Sequence, residues 1–265
     1  MKVTLDTNVF GPIADPSAYP TCPDISSCRA LRGRIELNKI LAHISLGSLG
    51  LEALCHNKRI DEFFRQWAAN KSCISIPAPN VQRMNIFNEC LRLGMKVLRV
   101  HNIALGSFIK VPQEAWAADV KFPAEERQKR LDEFADTYKD HGLDKLVQLG
   151  AELVLKHRID TSSIPSFLGP PERVLWLRGI VQEFDSRKNS ATLKSFTRDI
   201  RGLVSEWCDR DILASHYAYG NDYFCTFDNA EKAGKSSILH PNNRARLASD
   251  FGITVIAPAD LVKLM

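Results

Sequence analysis

The sequence predicts an α/β protein with a central parallel sheet, interrupted by a long helical stretch. Three observations predict it. An apolar run near each end of the chain stops on an acid: Val3-Thr4-Leu5 on Asp6, and Tyr223 to Phe227 on Asp228. Around these runs, strand-like segments alternate with helical ones at intervals that suit crossover connections between parallel strands. Between them, from Gln82 to about Arg201, the pattern is largely helical and charge-rich.

The elements follow in order. Val3 to Leu5 reads as a buried first strand, and the Pro-rich segment from Gly11 to Pro23 as a loop leaving it. From Ile25 to His43, apolar residues recur at helical spacing, at Leu31, Ile35, Ile40 and Leu41. Ile44 to Leu54 suits a second strand running into a helix that carries Phe63, Phe64 and Trp67. Cys73 to Ile76 suits a third strand, stopped by Pro77 and Pro79. The middle stretch, with breaks near Pro112, Pro123, Gly142 and Gly169-Pro170-Pro171, reads as a helical insertion or subdomain. After it, Asp211 to Tyr219 is a helix ended by Gly220, and Tyr223 to Phe227 a strand. Asn243 to Asp250 is a helix, Ile253 to Ile256 a last strand, and Pro258 to Met265 a closing helix.

Composition narrows the class. Hydrophobic residues make up 45% and charged residues 25%, as in ordinary globular proteins. The net charge of +4 is spread along the chain, so it permits a polyanionic partner without requiring one. The seven cysteines include no Cys-x-x-Cys pair, and their odd number argues against a disulfide framework. They read as reduced core thiols, and with no basic leader or run of roughly 20 apolar residues, the expectation is a cytoplasmic protein without membrane contact.

The acids carry the chemistry. In an open parallel sheet, ligands sit beyond the carboxyl ends of the strands, where Asp6 and Asp228 are delivered. Asp211 opens the helix that leads into the second of those strands. Three carboxylates on one rim repel each other unless a cation sits between them. Mg²⁺ or Mn²⁺ suits such an oxygen-rich site and retains waters, one of which can act as a nucleophile on a phosphodiester.

On these residues the chain resembles the PIN-domain nucleases. Leu5-Asp6-Thr7-Asn8-Val9 is similar to the family's first motif, and Asp211 through Thr226-Phe227-Asp228 to its late motif. Phe251 to Leu261 resembles its last strand and helix. The resemblance covers roughly residues 1–81 and 201–265, with 82–200 outside it as the insertion. It implies a three-layer α/β/α sandwich and divalent-metal-dependent endoribonuclease activity, as in VapC-like toxins. The metal ligands it implies are Asp6, Asp211 and Asp228, and the catalytic acids these three together with an early Glu. That Glu is Glu52, with Glu36 as the alternative, and Asp209 competes with Asp211. Thr226 and Asn8 would brace the acids. RNA would be the substrate, with an antitoxin protein and a homodimeric partner as the associations such toxins make, although the insertion departs from their compact form.

Two other classes compete. An aspartyl phosphohydrolase needs a second acid two residues after the first, where this chain has Asn8. A non-catalytic PIN-like module binding nucleic acid or protein would have no need of the acids. His216 reads as a packed or surface histidine, and the basic segment around Arg244 and Arg246 as an exposed helix face at least as readily as a phosphate contact.

Overall fold

A computed structural model describes residues 1–46, 81–99, 111–118, 121–141, 205–206, 208–229 and 237–265. Among these residues, five strands form one sheet: β1 (Lys2–Leu5), β2 (Leu41–Ser45), β3 (Lys96–Leu98), β4 (Tyr223–Cys225) and β5 (Thr254–Ile256). Every pairing is parallel, and the order across the sheet is β3-β2-β1-β4-β5. Among the described residues, seven α-helices accompany it. They are α1 (Thr7–Ala14), α2 (Ile25–Glu36), α3 (Val81–Arg92), α4 (Ala124–Thr137), α5 (208–219), α6 (Pro241–Phe251) and α7 (Pro258–Lys263).

The period-two alternation of the strands divides the side chains between two faces. Val3, Leu5, Ala42, Ile44 and Cys225 face one core, with Val9 and Ile13 of α1, Leu31 and Ile35 of α2 and Phe87 of α3. Leu98 and Phe224 face the other, with Phe134 of α4, Ile212 and Leu213 of α5 and Leu247 of α6. Helices thus cover both faces, as an all-parallel sheet requires.

Several local outcomes differ from the sequence expectation. Residues 11–14 of the segment expected as a loop belong instead to α1, which the Asp6 side chain caps by accepting the Thr7 N–H. Pro12 lies inside this helix and removes one of its hydrogen bonds, and α1 ends two residues later. The Tyr19 ring packs so closely on Gly11 that a Cβ there would collide with it. The second helix stops at Glu36 instead of running to His43. Asn38 takes the left-handed conformation at φ 55°, its N–H reaches the Ile35 carbonyl, and the Lys39 N–H reaches that of Arg34, each at 2.9 Å. That Schellman closure lets Ile40 and Leu41 enter β2.

Part of the stretch read as a helical insertion belongs to the sheet. Its residues Lys96–Leu98 form β3, and Ala117 N–H continues that edge by bonding the Val97 carbonyl at 3.0 Å. In α4 of the same stretch, Phe134 enters the second core, 4.8 Å from both Tyr138 and Phe251 between ring centres. Arg130 stacks on Tyr217 at 3.6 Å and on Phe122 at 4.1 Å, and donates twice to the Tyr217 carbonyl. A basic residue in a charge-rich helix is therefore an anchor to α5. The strand expected at Cys73 to Ile76 lies outside the described residues. No described helix is long and apolar enough to cross a membrane.

One seam between sheet and helix is polar. Thr4 and His43 point at α5, where His216 Nδ1 lies 2.9 Å from Thr4 Oγ1, and Asn221 Nδ2 donates to the same oxygen at 2.8 Å. His216 packs edge-on to Phe224 and is buried, which pulls its pKa from 6.5 down to about 3. That fall to about 3 includes a smaller contribution from His43 nearby, and Asp222 partly opposes it. The unfolded chain therefore takes up a proton between about 6.5 and 3 that the folded one refuses. Stability contributed by neutral His216 is full above pH 6.5 and falls as the pH drops through that window. Urea unfolding from pH 7 to 4 is expected to show a loss of a few kcal/mol from this group, and His216→Asn is expected to flatten the slope.

Candidate carboxylate site at the sheet's switch point

From β1 the chain moves outward through β2 to β3, then returns to the other side of β1 as β4. The carboxyl ends of β1 and β4 therefore flank the point where the topology reverses, the usual place for a ligand in this architecture. The ladder continues one residue past the strands, with the Asp6 N–H on the Cys225 carbonyl and the Thr226 N–H on that of Ile256, each at 3.0 Å. Asp6 is the last residue of one strand path and the N-cap of α1, so two elements fix its backbone.

Three donors take three of the roughly four acceptor positions of the Asp6 carboxylate and leave one on Oδ1. Oδ1 accepts the Thr7 N–H at 2.6 Å, while Oδ2 accepts Asn8 Nδ2 at 2.9 Å and the Thr226 hydroxyl at 2.6 Å. The same hydroxyl accepts from Asn8 Nδ2 at 3.1 Å and from the Asp228 N–H at 2.9 Å. Thr226 thus uses its one donor and both acceptor positions, which fixes the rotamer. Asn8 Oδ1 accepts the Phe227 N–H at 3.0 Å, tying the start of α1 to the end of β4.

Asp6 is 3% exposed, and its pKa is raised. Burial is the largest cause, and the charge of Asp228 adds to it. The hydrogen bonds from Thr226, Thr7 and Asn8 oppose the shift without cancelling it. Asp228 itself is half-buried at the rim. Arg244 of α6 holds its backbone: Nη2 donates to the Asp228 carbonyl, and Nε to the Leu239 carbonyl at 2.6 Å. Desolvation lowers the Arg244 pKa, and the Asp228 charge opposes that fall.

The other predicted acids fare differently. Asp211 and Asp209 both lie inside the helical run, and residues two apart on a helix do not share a face. Asp211 is the inward one, 1% exposed, with Arg210 Nη2 on its Oδ1 at 2.7 Å and Nε on the same oxygen at 3.1 Å. His216 lies level with Thr4, and Asp211 is five residues nearer the helix start, about 7.5 Å toward the strands' carboxyl ends. Asp6 lies two residues beyond Thr4, about 6.6 Å along the same direction. Asp211 is thus carried toward the same end of the sheet as Asp6, and is ion-paired with its neighbour Arg210. Glu36 ends α2 just before β2 begins, at the amino ends of the strands and so at the opposite end of the sheet from Asp6, and pairs with Arg32 at 3.1 Å. Glu52 lies outside the described residues.

The structure therefore brings together Asp6, Asp228, Thr226 and Asn8. Among the described residues, no three His, Cys, Asp or Glu side chains form a group able to hold a metal ion. Two acids beside each other still fit Mg²⁺ or Mn²⁺, which commonly take one or two carboxylates and keep waters for the remaining positions. Asp6, carrying a raised proton affinity beside a second acid, has the chemistry of a group a cation would relieve. Sequence reasoning passed over Arg210, and weighed Arg244 as an exposed face or a phosphate contact where the structure has it on the Asp228 carbonyl. Both belong to charged helical segments whose pattern is the same whether the guanidinium faces inward or out. Comparison with protein-family models, curated proteins and solved structures finds no match to this chain.

Replacing Thr226 by Val removes the donor to Asp6 and the acceptor for the Asp228 N–H. The cost is expected to be about 1–3 kcal/mol in unfolding free energy. Because that donor lowers the Asp6 pKa, a ¹³C NMR titration of the Asp6 carboxyl is expected to place it higher in Thr226→Val than in wild type.

Proposed function

We propose that the protein is a divalent-metal-dependent endoribonuclease whose metal site is built on Asp6 and Asp228. The observation that carries this reading is the pairing of two acids at the ends of adjacent parallel strands, cross-braced by Thr226 and Asn8. It also draws on the resemblance of those residues to the PIN-domain motifs, with RNA as the substrate class. A bound Mg²⁺ or Mn²⁺ would neutralise the developing phosphate charge and lower the pKa of an attacking water.

The protein's own groups have separable tasks in this scheme. Asp6 and Asp228 hold the cation, the first rigidly and the second from the rim. Thr226 and Asn8 orient both acids through shared hydrogen bonds, as outer partners orient ligands in metal sites. Arg244 sets the backbone beneath Asp228. Asp211 joins the site only if Arg210 releases it, and Glu52 is the candidate for an acid contributed from the segment after β2. An antitoxin and a second copy of the chain are the partners consistent with a toxin-like role.

Cleavage of a panel of structured RNA, single-stranded RNA and DNA, with Mn²⁺, Mg²⁺ or EDTA, tests the reading. Wild type is expected to cut RNA with metal and not with EDTA. Asp6→Asn and Asp228→Asn, shown to be folded, are expected to lose more than about 100-fold, and Asn8→Ala about 10–100-fold. RNA binding that survives both acid substitutions, with no cutting by wild type, would instead establish a binding module.

The raised Asp6 pKa also sets a pH dependence. Between its ordinary value of 3.8 and the higher folded value, Asp6 keeps a proton that a cation must displace. Apparent Mn²⁺ affinity, followed by calorimetry, is expected to strengthen as pH rises through that window and then level off. In Asp6→Asn the dependence is expected to flatten.

A further inference from the structure

The start of α2 places two sulfurs side by side. Asp24 caps the helix through the Ser27 N–H at 3.0 Å, and the Cys22 N–H closes a turn on the Tyr19 carbonyl at 3.0 Å. Two residues before the cap and four after it, Cys22 and Cys28 meet across the first turn, in the manner of the hydrophobic pair that often staples a helix entry. Their sulfurs are 3.9 Å apart. Closing to a disulfide requires an approach of about 2 Å, within reach of a side-chain rotation at Cys22, whose neighbours form a turn and not a strand.

Access to the two is unequal. Cys22 is half-buried, so a small oxidant reaches it from solvent. Cys28 is fully buried and remains a protonated thiol, because burial, and secondarily Cys22, pushes its pKa up. That is the arrangement of an accessible sulfur with a protected resolving partner. The remaining described cysteines, Cys90, Cys208 and Cys225, are all buried. A soft-metal site is not indicated by this pair, since no group of three ligating side chains occurs among the described residues.

We infer that Cys22 and Cys28 form a redox-active dithiol that a hydroperoxide converts to an intramolecular disulfide. The Cys22 sulfur attacks the peroxide O–O bond and becomes a sulfenic acid, and the departing oxygen leaves as water or an alcohol. The Cys28 sulfur then displaces the hydroxyl of that sulfenic acid, its own proton leaving with the hydroxyl as water. Both sulfurs are oxidised by one electron each, and the peroxide is reduced by two. A dithiol reductant reverses the change by thiol–disulfide exchange.

The modification is independent of nuclease activity and is read by mass. Trypsin releases Val3–Arg29 as one peptide whose only cysteines are Cys22 and Cys28. The full-length, freshly reduced protein is treated with hydrogen peroxide while folded, then alkylated under denaturing conditions and digested. In wild type this peptide is expected to lose about 2 Da, take up no alkyl group, and regain two alkylation sites after dithiothreitol. In Cys22→Ser, a change at the half-buried position confirmed as folded by its melting curve, the peptide is expected to carry one alkyl group on Cys28 and no mass loss. Two alkylated cysteines in peroxide-treated wild type would overturn the inference. So would oxygen adducts on Cys22 with Cys28 still alkylated, or a bridge from this peptide to another.

Discussion

A carboxylate cannot be buried at the end of a strand without donors to hold it, and that constraint organises this protein. Asp6 meets it with a backbone amide, a side-chain amide and a hydroxyl. The hydroxyl belongs to Thr226, on the strand that closes the other side of β1, so satisfying one acid requires the two strand ends to be in register. Because Thr226 also accepts the Asp228 N–H, the second acid inherits its position from the first. The capped start of α1 and the bracket made by Asn8 follow from the same need.

Around that core of contacts the division of labour between the sheet faces becomes intelligible. The face toward α1, α2 and α3 is apolar at Val3, Leu5, Ala42 and Ile44 and supplies burial. The face toward α5 carries Thr4 and His43, and α5 answers with His216 and with Ser215, whose hydroxyl bonds the Arg99 carbonyl at 3.0 Å. Apolar packing tolerates small slips, whereas a satisfied polar seam does not. The seam therefore sets the axial position of α5, and with it the height at which Asp211 and Arg210 arrive.

Much of the sheet was legible because its strands are short apolar runs that stop on polar residues. The ends of β1 and β4 announced themselves through Asp6 and Asp228, and the alternation of strand and helix gave the parallel class. The reading failed where one residue's conformation overrode a pattern. The apolar periodicity of α2 continues through Leu41 in the sequence, but Asn38 ends the helix. Gly11 and Pro12 look like a loop, but Asp6 caps them into α1. β3 is three residues long inside helical surroundings, too short to announce a period. Pairings that depend on tertiary approach, such as Arg244 with the Asp228 carbonyl or Arg130 with Tyr217, leave no local signature. The same holds for the pair Asp211–Arg210, since adjacency in sequence does not say which way either side chain turns.

The central strand of this sheet is also the earliest of those described: β1 precedes the other four, and β4, its neighbour on one side, lies some 220 residues later. During synthesis β1 can pair with β2 almost at once, but its other edge stays open until Tyr223–Cys225 leaves the ribosome. An open edge on a buried strand is where a growing chain is most exposed to wrong partners. The acids meet only at that final closure. A nascent chain therefore carries Asp6 without the residues that position it, and whatever chemistry the pair performs begins only once β4 has been made.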